Sequence, residues 1–240
     1  MRVVGVIPAR FHSTRFTGKV LADLGGKPVL QHVWENAKKS KVLDDLIIAA
    51  DDERIIKAAK DFDAKAIYTS PDQPSGTDRL IEVVNPIEVE VVVNIQGDEP
   101  MVRPEMIDDL ARAILEDKSV KMATVAKKIE DKSEIEDPNV VKLVKDKNGF
   151  ALYFSRSVIP YQRHDTVPVY YKHLGLYSYT KDFLFEFANL PKSHLEMTEG
   201  LEQLRALENG YRIKVIETKY DTIGIDTPED LERARIVMGF

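Results

Sequence analysis

The sequence predicts one α/β domain built on a mostly parallel sheet covered on both faces. Three observations carry this reading. Short apolar runs alternate with amphipathic helical patterns through the first half of the chain. No internal repeat, low-complexity tract or Gly/Ser linker divides the 240 residues. Two of the apolar runs end abruptly in loops rich in charged and small residues, and ligands bind such sheets at the carboxyl ends of strands.

Val3-Val4-Gly5-Val6-Ile7 is apolar without alternation, as in a strand buried on both faces. Residues 8–19 have no apolar periodicity and form a loop. Pro28 suits a first helical position, and Val29, Leu30, Val33, Trp34 and Ala37 then share one helical face. Strands at 46–50 and 64–68 alternate with helices at 53–62 and 78–84. A fourth strand, 89–95, stops at Gln96-Gly97-Asp98-Glu99-Pro100, and a helix follows over 104–115.

The rhythm then changes. Residues 140–145 alternate, Asn148-Gly149 is a strong hairpin signal, and 150–154 returns. Residues 170–179 are long, strand-like and aromatic-rich; 195–207 read as one helix and 212–217 as a strand. Thr227-Pro228-Glu229-Asp230 starts a last helix that runs to about Met238, with Thr as cap, Pro at the first position and acids in the first turn. The expectation is one body with a hairpin-bearing insertion near 130–180.

Composition narrows the function. Lys plus Arg total 34 and Asp plus Glu 40, a net charge of −6, with 43% apolar residues. A chain of this size buries roughly 70–75% of its unfolded surface. The acidic balance disfavours duplex nucleic acid as a partner. The absence of cysteine excludes disulfides, thiolate metal sites and a thiol nucleophile. The first apolar run is too short for a signal peptide, and no run is long enough to span a bilayer.

Four segments hold candidate chemistry. The loop Pro8-Ala9-Arg10-Phe11-His12-Ser13-Thr14-Arg15-Phe16-Thr17-Gly18-Lys19 gathers three cations behind a strand, which suits a polyphosphate and equally a solvated basic loop. Asp98 at a strand's carboxyl end, beside Gly97, suits Mg²⁺, which prefers one or two carboxylates plus substrate phosphates; an acidic turn is the plainer reading. Asp226, just before the Thr227 cap, is a second carboxylate, or simply a loop acid. Ser75-Gly76-Thr77-Asp78-Arg79 caps the next helix and also offers backbone groups and an arginine to a flat base.

His173 and Tyr177 are four apart in a strand-like stretch and so face one side, as a polyol-reading surface or as plain sheet surface. Glu202-Gln203 on a helix would ordinarily be solvated. Other chemistries fail on their spacing. Ser13 and Val20 break a P-loop, no G-x-G-x-x-G follows the first strand, and neither a zinc motif nor a G-x-S-x-G elbow occurs.

Together these segments carry a resemblance. Ile7-Pro8-Ala9-Arg10, Ser13-Thr14-Arg15 and Gly18-Lys19 resemble the signature loop of sugar-acid cytidylyltransferases. Ser75-Gly76-Thr77, residues 94–100, residues 151–156, residues 172–177, Leu201-Glu202-Gln203-Leu204-Arg205 and residues 224–232 follow in order. This colinear set, spanning nearly the whole chain, resembles the 3-deoxy-manno-octulosonate cytidylyltransferase (CMP-Kdo synthetase) family.

The resemblance implies a Rossmann-like nucleotide-diphospho-sugar transferase fold, transfer of CMP from CTP to the sugar acid Kdo, and a cytoplasmic place in lipopolysaccharide biosynthesis. It implies that Arg10 and Lys19 hold the CTP phosphates and act with Asp98 in catalysis. Asp98 and Asp226 would bind Mg²⁺. Pro8, Ala9, Ser75, Gly76 and Arg79 would hold the nucleotide, while Gln96, Arg156, His173, Tyr177, Glu202 and Gln203 would face the sugar. It also implies a homodimer, with residues 1–128 and 210–240 as the nucleotide-binding half and 129–209 binding sugar and partner.

Two departures stand out. Thr17 and Val20 replace prolines that the family usually has, and Ala50 replaces a threonine in Ala49-Ala50-Asp51. An 8-amino analogue of Kdo or a sialic acid is therefore an alternative substrate. A CTP-binding module without catalysis is the alternative of another class.

Overall fold

The structure is a computed structural model that describes residues 1–73 and 76–240. Ser75, an expected nucleotide contact, lies outside the described residues. Eleven strands and nine α-helices are described: β1 (Val3–Ala9), β2 (Asp23–Leu24), β3 (Lys27–Pro28), α1 (Val29–Ala37), β4 (Asp45–Ala50), α2 (Glu53–Asp61), β5 (Ala66–Tyr68), α3 (Gly76–Val84), β6 (Val91–Asn94) and α4 (Pro104–Glu116) form the first half. There follow β7 (Met122–Lys128), α5 (Ser133–Glu136), β8 (Lys142–Lys145), β9 (Ala151–Ser155), β10 (Tyr171–Thr180), α6 (Lys181–Asn189), α7 (His194–Glu199), α8 (Leu204–Glu208), β11 (Ile213–Thr218) and α9 (Pro228–Met238).

The main sheet runs β11-β7-β10-β6-β1-β4-β5, with the β8–β9 hairpin joined through β10. β1, β4, β5 and β6 are parallel, as are β7 and β11; β10 alone in this path runs against its neighbours. The main sheet is therefore mostly parallel, as expected, and mixed through β10 and the hairpin. Because β10 is antiparallel to β6, with Tyr177 opposite Asn94, its residues before Tyr177 continue past the carboxyl end of β6. His173 thus stands at the same end as the loops after β1 and β6.

The apolar runs are continuous because both sheet faces are buried. Val3, Ile7 and Ala9 pack with α1 and α4 on one face. Val4 and Val6 pack with Leu80 and Val83 of α3 and Phe183 of α6 on the other. Burying one such valine or isoleucine contributes about 1.5–3 kcal/mol.

Three sequence expectations change. Pro28 ends β3 and occupies the cap position, so α1 begins at Val29. The expected helix over 195–207 is two, because Gly200 at φ +65 ends α7 in the left-handed region, which suits a residue without Cβ. Glu202 and Gln203 consequently lie in the turn before α8, not on a helix face. β7 and α6 have no counterpart in the sequence reading. β7 has small alanines and ends in two lysines, which hides its apolar signal, and α6 is dense in phenylalanine, a residue that favours strands. The final helix has the expected cap: Thr227 and Asp230 form a reciprocal capping box with Pro228 at its first position. Among the described residues, no helix is long and apolar enough to cross a membrane.

Candidate active site

The carboxyl ends of β1, β4, β5 and β6 bring four loops together. The first follows Pro8 and Ala9. Its Phe11 N–H donates to Asp51 Oδ1 at 2.9 Å, Gly18 N–H returns to Phe11 O at 2.7 Å, and the Arg54 guanidinium lies 3.4 Å from the Phe11 ring centroid. Arg10 Nη2 donates to Gln73 O at 3.3 Å, joining this loop to the one before α3. Gly76, the first residue of α3, faces Pro8: a Cβ there would meet Pro8 Cγ at 4.0 Å. Pro8 and Gly76 are thus neighbours, and Arg10 reaches the segment just before α3.

Arg79 corrects one expectation. The sequence predicts that it points toward a ligand, yet its guanidinium is fully buried. Nη1 donates to Thr69 Oγ1 at 2.5 Å, and Nη2 lies 3.5 Å from Asp51 Oδ2. Burial lowers its pKa, and the nearby Asp51 carboxylate opposes that shift. Arg79 therefore reaches the first loop through Asp51, which holds the Phe11 N–H on its other oxygen. The sequence reading noted Asp51 in its motif but gave it no role.

The carboxylates close on a lysine. Lys19 Nζ donates to Asp98 Oδ2 and, at 2.8 Å, to Asp226 Oδ1. Burial pulls the Lys19 pKa down, but the two carboxylates outweigh it and the pKa is raised. Partial burial pushes Asp226 up, but Lys19 and Arg15 overcome this and hold it below the ordinary carboxylate range. Arg15 Nη2 approaches Asp226 Oδ2 at 2.9 Å from an exposed position.

Backbone contacts fix this arrangement. Ile225 N–H donates to Asp98 O at 2.9 Å, which ties the two acidic loops. Gly97 is required there, because a Cβ would sit 2.7 Å from Pro8 O. Beside it, Glu99 Oε2 is buried with no hydrogen-bond partner among the described residues. Burial first, then the charge of Asp98, pushes the Glu99 carboxyl up to about 8. Sequence reasoning assigned nothing to Glu99, since Glu-Pro reads as a turn.

A second cluster forms around β10. Gln96 Nε2 donates to Gly175 O at 3.1 Å. The His173 ring lies 5.3 Å from Tyr177 and 5.2 Å from Phe154. Thr124 Oγ1 gives its single hydrogen to Leu176 O at 2.7 Å and contacts His173 Nε2 at 2.8 Å. That network assigns the ring proton to Nε2 and leaves Nδ1 as an acceptor. Burial holds His173 at about 3, so the ring is neutral. Burial, then Glu202, raises the Tyr177 phenol well above its ordinary value.

Glu202 Oε2 accepts from Thr77 Oγ1 at 2.8 Å, and burial raises its pKa. Gln203 is buried, and its Nε2 has no partner among the described residues. Arg156 Nε donates to Glu199 O at 2.8 Å and Nη1 to Pro138 O at 3.0 Å, while Glu199 Oε2 accepts its backbone N–H at 2.9 Å. Thr124 lies in the strand that sequence reasoning missed, and nothing in the sequence marks Glu199.

The neutral His173 has a measurable consequence. Its folded pKa lies below the unfolded value of 6.5, so the unfolded chain takes up the extra proton. Stability from this group is full above pH 6.5 and falls as pH drops toward 3, by about 1.4 kcal/mol per pH unit. Urea unfolding at pH 7 and pH 5 will show a smaller acid loss in His173→Gln than in the parent, by about 2 kcal/mol. Equal losses would mean that His173 is solvated.

Comparison with known proteins resolves the class of this cleft. A cytidylyltransferase family model matches residues 4–215. The chain is 53% identical over 233 residues to 3-deoxy-manno-octulosonate cytidylyltransferase of Solibacter usitatus, covering 97% of this chain and 92% of that one. The chain belongs to the 3-deoxy-manno-octulosonate cytidylyltransferase family. It is also 47% identical to the Geobacter sulfurreducens member, covering 97% and 98% of the two chains. A solved CMP:2-keto-3-deoxy-manno-octonic acid synthetase, complexed with CTP, superposes with a TM-score of 0.95 at 42% identity over 100% of this chain and 99% of that one. The resemblance read from the signature loop and the later blocks is borne out, and with it a nucleotide-diphospho-sugar transferase-like fold. A glucose-1-phosphate thymidylyltransferase from Bacillus anthracis shares the fold alone, at 17% identity and a TM-score of 0.70. Members of the 3-deoxy-manno-octulosonate cytidylyltransferase family are nucleotidyltransferases, which makes the basic loop and the paired carboxylates the first candidates for phosphate chemistry.

Proposed function

We propose that this chain transfers CMP from CTP to the anomeric 2-hydroxyl of Kdo and releases pyrophosphate, supplying an activated sugar for lipopolysaccharide assembly in a Gram-negative cytoplasm. The observation that carries the chemistry is the pair Asp98 and Asp226 closed around one cation beside the loop bearing Arg10. In the reaction the sugar oxygen attacks the α-phosphorus, the bond to the β-phosphate breaks with its electron pair, and the hydroxyl proton leaves to solvent. Arg10 and Lys19 neutralise the charge that develops on the phosphates. Pro8, Ala9, Ser75 and Gly76 hold the nucleotide through backbone groups, with Arg79 supporting them from beneath.

The donor set fits Mg²⁺. Two carboxylates already surround a stand-in cation, and Mg²⁺ takes its remaining ligands from substrate phosphates and water. Bound there with CTP, it would stabilise charge on phosphate oxygens and lower the pKa of a bound hydroxyl. Gln96, His173 Nδ1, Tyr177, Glu202 and Gln203 supply hydrogen-bonding groups for a polyol, and Arg156 supplies the planar fork that matches a carboxylate.

Residues 1–128 and 210–240 serve the nucleotide, and 129–209 the sugar and a second copy of the chain. Leu152, Tyr161, Val167 and Met197 are exposed on the latter part and support a homodimer through it. Light scattering will give twice the 27.2 kDa chain mass if so.

The deciding experiment is pyrophosphate release with Mg²⁺ and CTP across Kdo, its 8-amino analogue and sialic acid, with UTP, GTP and ATP as controls. Release with Kdo and CTP alone supports the proposal. Release with another acid moves the sugar assignment to the residues around His173 and Tyr177. Binding of CTP without release on any sugar acid favours a non-catalytic module.

Asp51 gives a further check. Asp51→Ala leaves Arg79 Nη2 and the Phe11 N–H without their acceptor, at a cost of about 2 kcal/mol in stability. Because one of those donors belongs to the first loop and the other lies beside it, the KM for CTP will rise more than that for the sugar. Equal KM values in the variant and the parent would show that the loop holds its shape without Asp51.

A further inference from the structure

The proposed function gives Lys19 one task, holding phosphate. The structure gives it two carboxylate partners as well. Lys19 Nζ bonds Asp98 Oδ2 and Asp226 Oδ1, one oxygen from each carboxylate. A metal ion held by both carboxylates must take up this space, and a lysine ammonium is strongly hydrated and compact enough to fill it. Lys19 and Asp226 are 207 residues apart, so only the closed fold makes this contact.

We propose that Lys19 is a resident counter-ion that holds the Asp98–Asp226 pair together and keeps the site closed to a bare divalent cation until a polyphosphate draws the ammonium away. The inference rests on the reading of Asp98 and Asp226 as metal ligands.

The charges make the exchange plausible in both directions. Two facing carboxylates without a counter-ion repel one another, and the Lys19 side chain is only 13% exposed, so water screens little of its attraction. A divalent cation arriving alone must displace this ammonium and leave it unpaired in a largely buried place. Arriving with a triphosphate, it finds the ammonium offered a new anionic partner within the same cleft. Nucleotide and metal affinities are then coupled through one side chain, and the coupling is reciprocal. The backbone contacts remain in place during the swap, because Ile225 N–H to Asp98 O and the close approach of Gly97 to Pro8 do not involve Lys19.

The test uses Mn²⁺ alone as the probe, with free Mn²⁺ read by electron paramagnetic resonance and no nucleotide present. The full chain, Lys19→Met, and the double variant Lys19→Met with Asp98→Asn are compared. Lys19→Met will bind Mn²⁺ about tenfold or more tightly than the parent, and the double variant will lose that gain. A second measurement guards against a folding defect. In EDTA, Lys19→Met will melt below the parent, and added Mg²⁺ will restore its midpoint while moving the parent's less. Equal or weaker Mn²⁺ binding by Lys19→Met, with a further loss in the double variant, would overturn the counter-ion role and leave the carboxylate site standing. Tight binding that survives Asp98→Asn would instead remove the carboxylate site, and the inference with it.

Discussion

Replacing Asp98 by Asn lowers kcat for CMP transfer by about a thousandfold, with the fold intact. The carboxamide keeps the shape of the side chain and its backbone ties, since Asp98 contributes its carbonyl, not its carboxylate, to Ile225. What it loses is the negative charge facing Lys19 and, in the proposed reaction, the charge that holds Mg²⁺ against the phosphates. Stability changes by only about 1 kcal/mol, because Lys19 retains Asp226 as a partner. Asp226→Asn has the smaller effect of the two, as its carboxylate is more exposed, 43% against 26%, and shares its charge with Arg15. Steady-state pyrophosphate release with a urea unfolding curve for each variant checks both statements. Near-parental turnover in both would remove the two-carboxylate reading.

Arg156→Lys raises the KM for the sugar acid by about 10- to 100-fold and leaves the KM for CTP within about twofold. Arg156 is held by carbonyls of Glu199 and Pro138 through Nε and Nη1, which fixes the plane of the guanidinium. A lysine keeps the charge but loses this two-point hold and the fork. The change is therefore in binding geometry and not in net charge, and kcat at saturating sugar stays within a few-fold. Equal rises in both KM values would argue against Arg156 as the carboxylate clamp and for a general role in closing the cleft.

Much of the scaffold was legible. The runs that became β1, β4 and β6 are apolar because both faces are covered, and α9 carries its cap in Thr227, Pro228 and Asp230. The hairpin at Asn148-Gly149 formed as read, with Asp146 Oδ1 accepting from the N–H groups of Asn148 and Phe150 at 2.8 Å. β7 was not legible, since its neighbours in the sheet, β10 and β11, are remote in sequence and supply the burial that its own pattern only hints at. The break at Gly200 was hidden because residues on both sides are good helix formers.

Local chemistry decided which residues are fit for the site. A strand end followed by Arg10, Arg15 and Lys19, a Gly97-Asp98 turn and an acid before a helix cap can be named from the chain alone, because their pattern is short in range. Which of them meet depended on the sheet order. Only the placement of β6 beside β1 brings Gly97 against Pro8, and only the return of the chain after β11 sets Asp226 against Lys19. Burial is likewise a property of the closed fold. It takes the Arg79 guanidinium out of solvent, holds His173 neutral, and pushes Glu99 up to about 8. Charge and dielectric act through space, and distance in space is what a linear pattern does not carry.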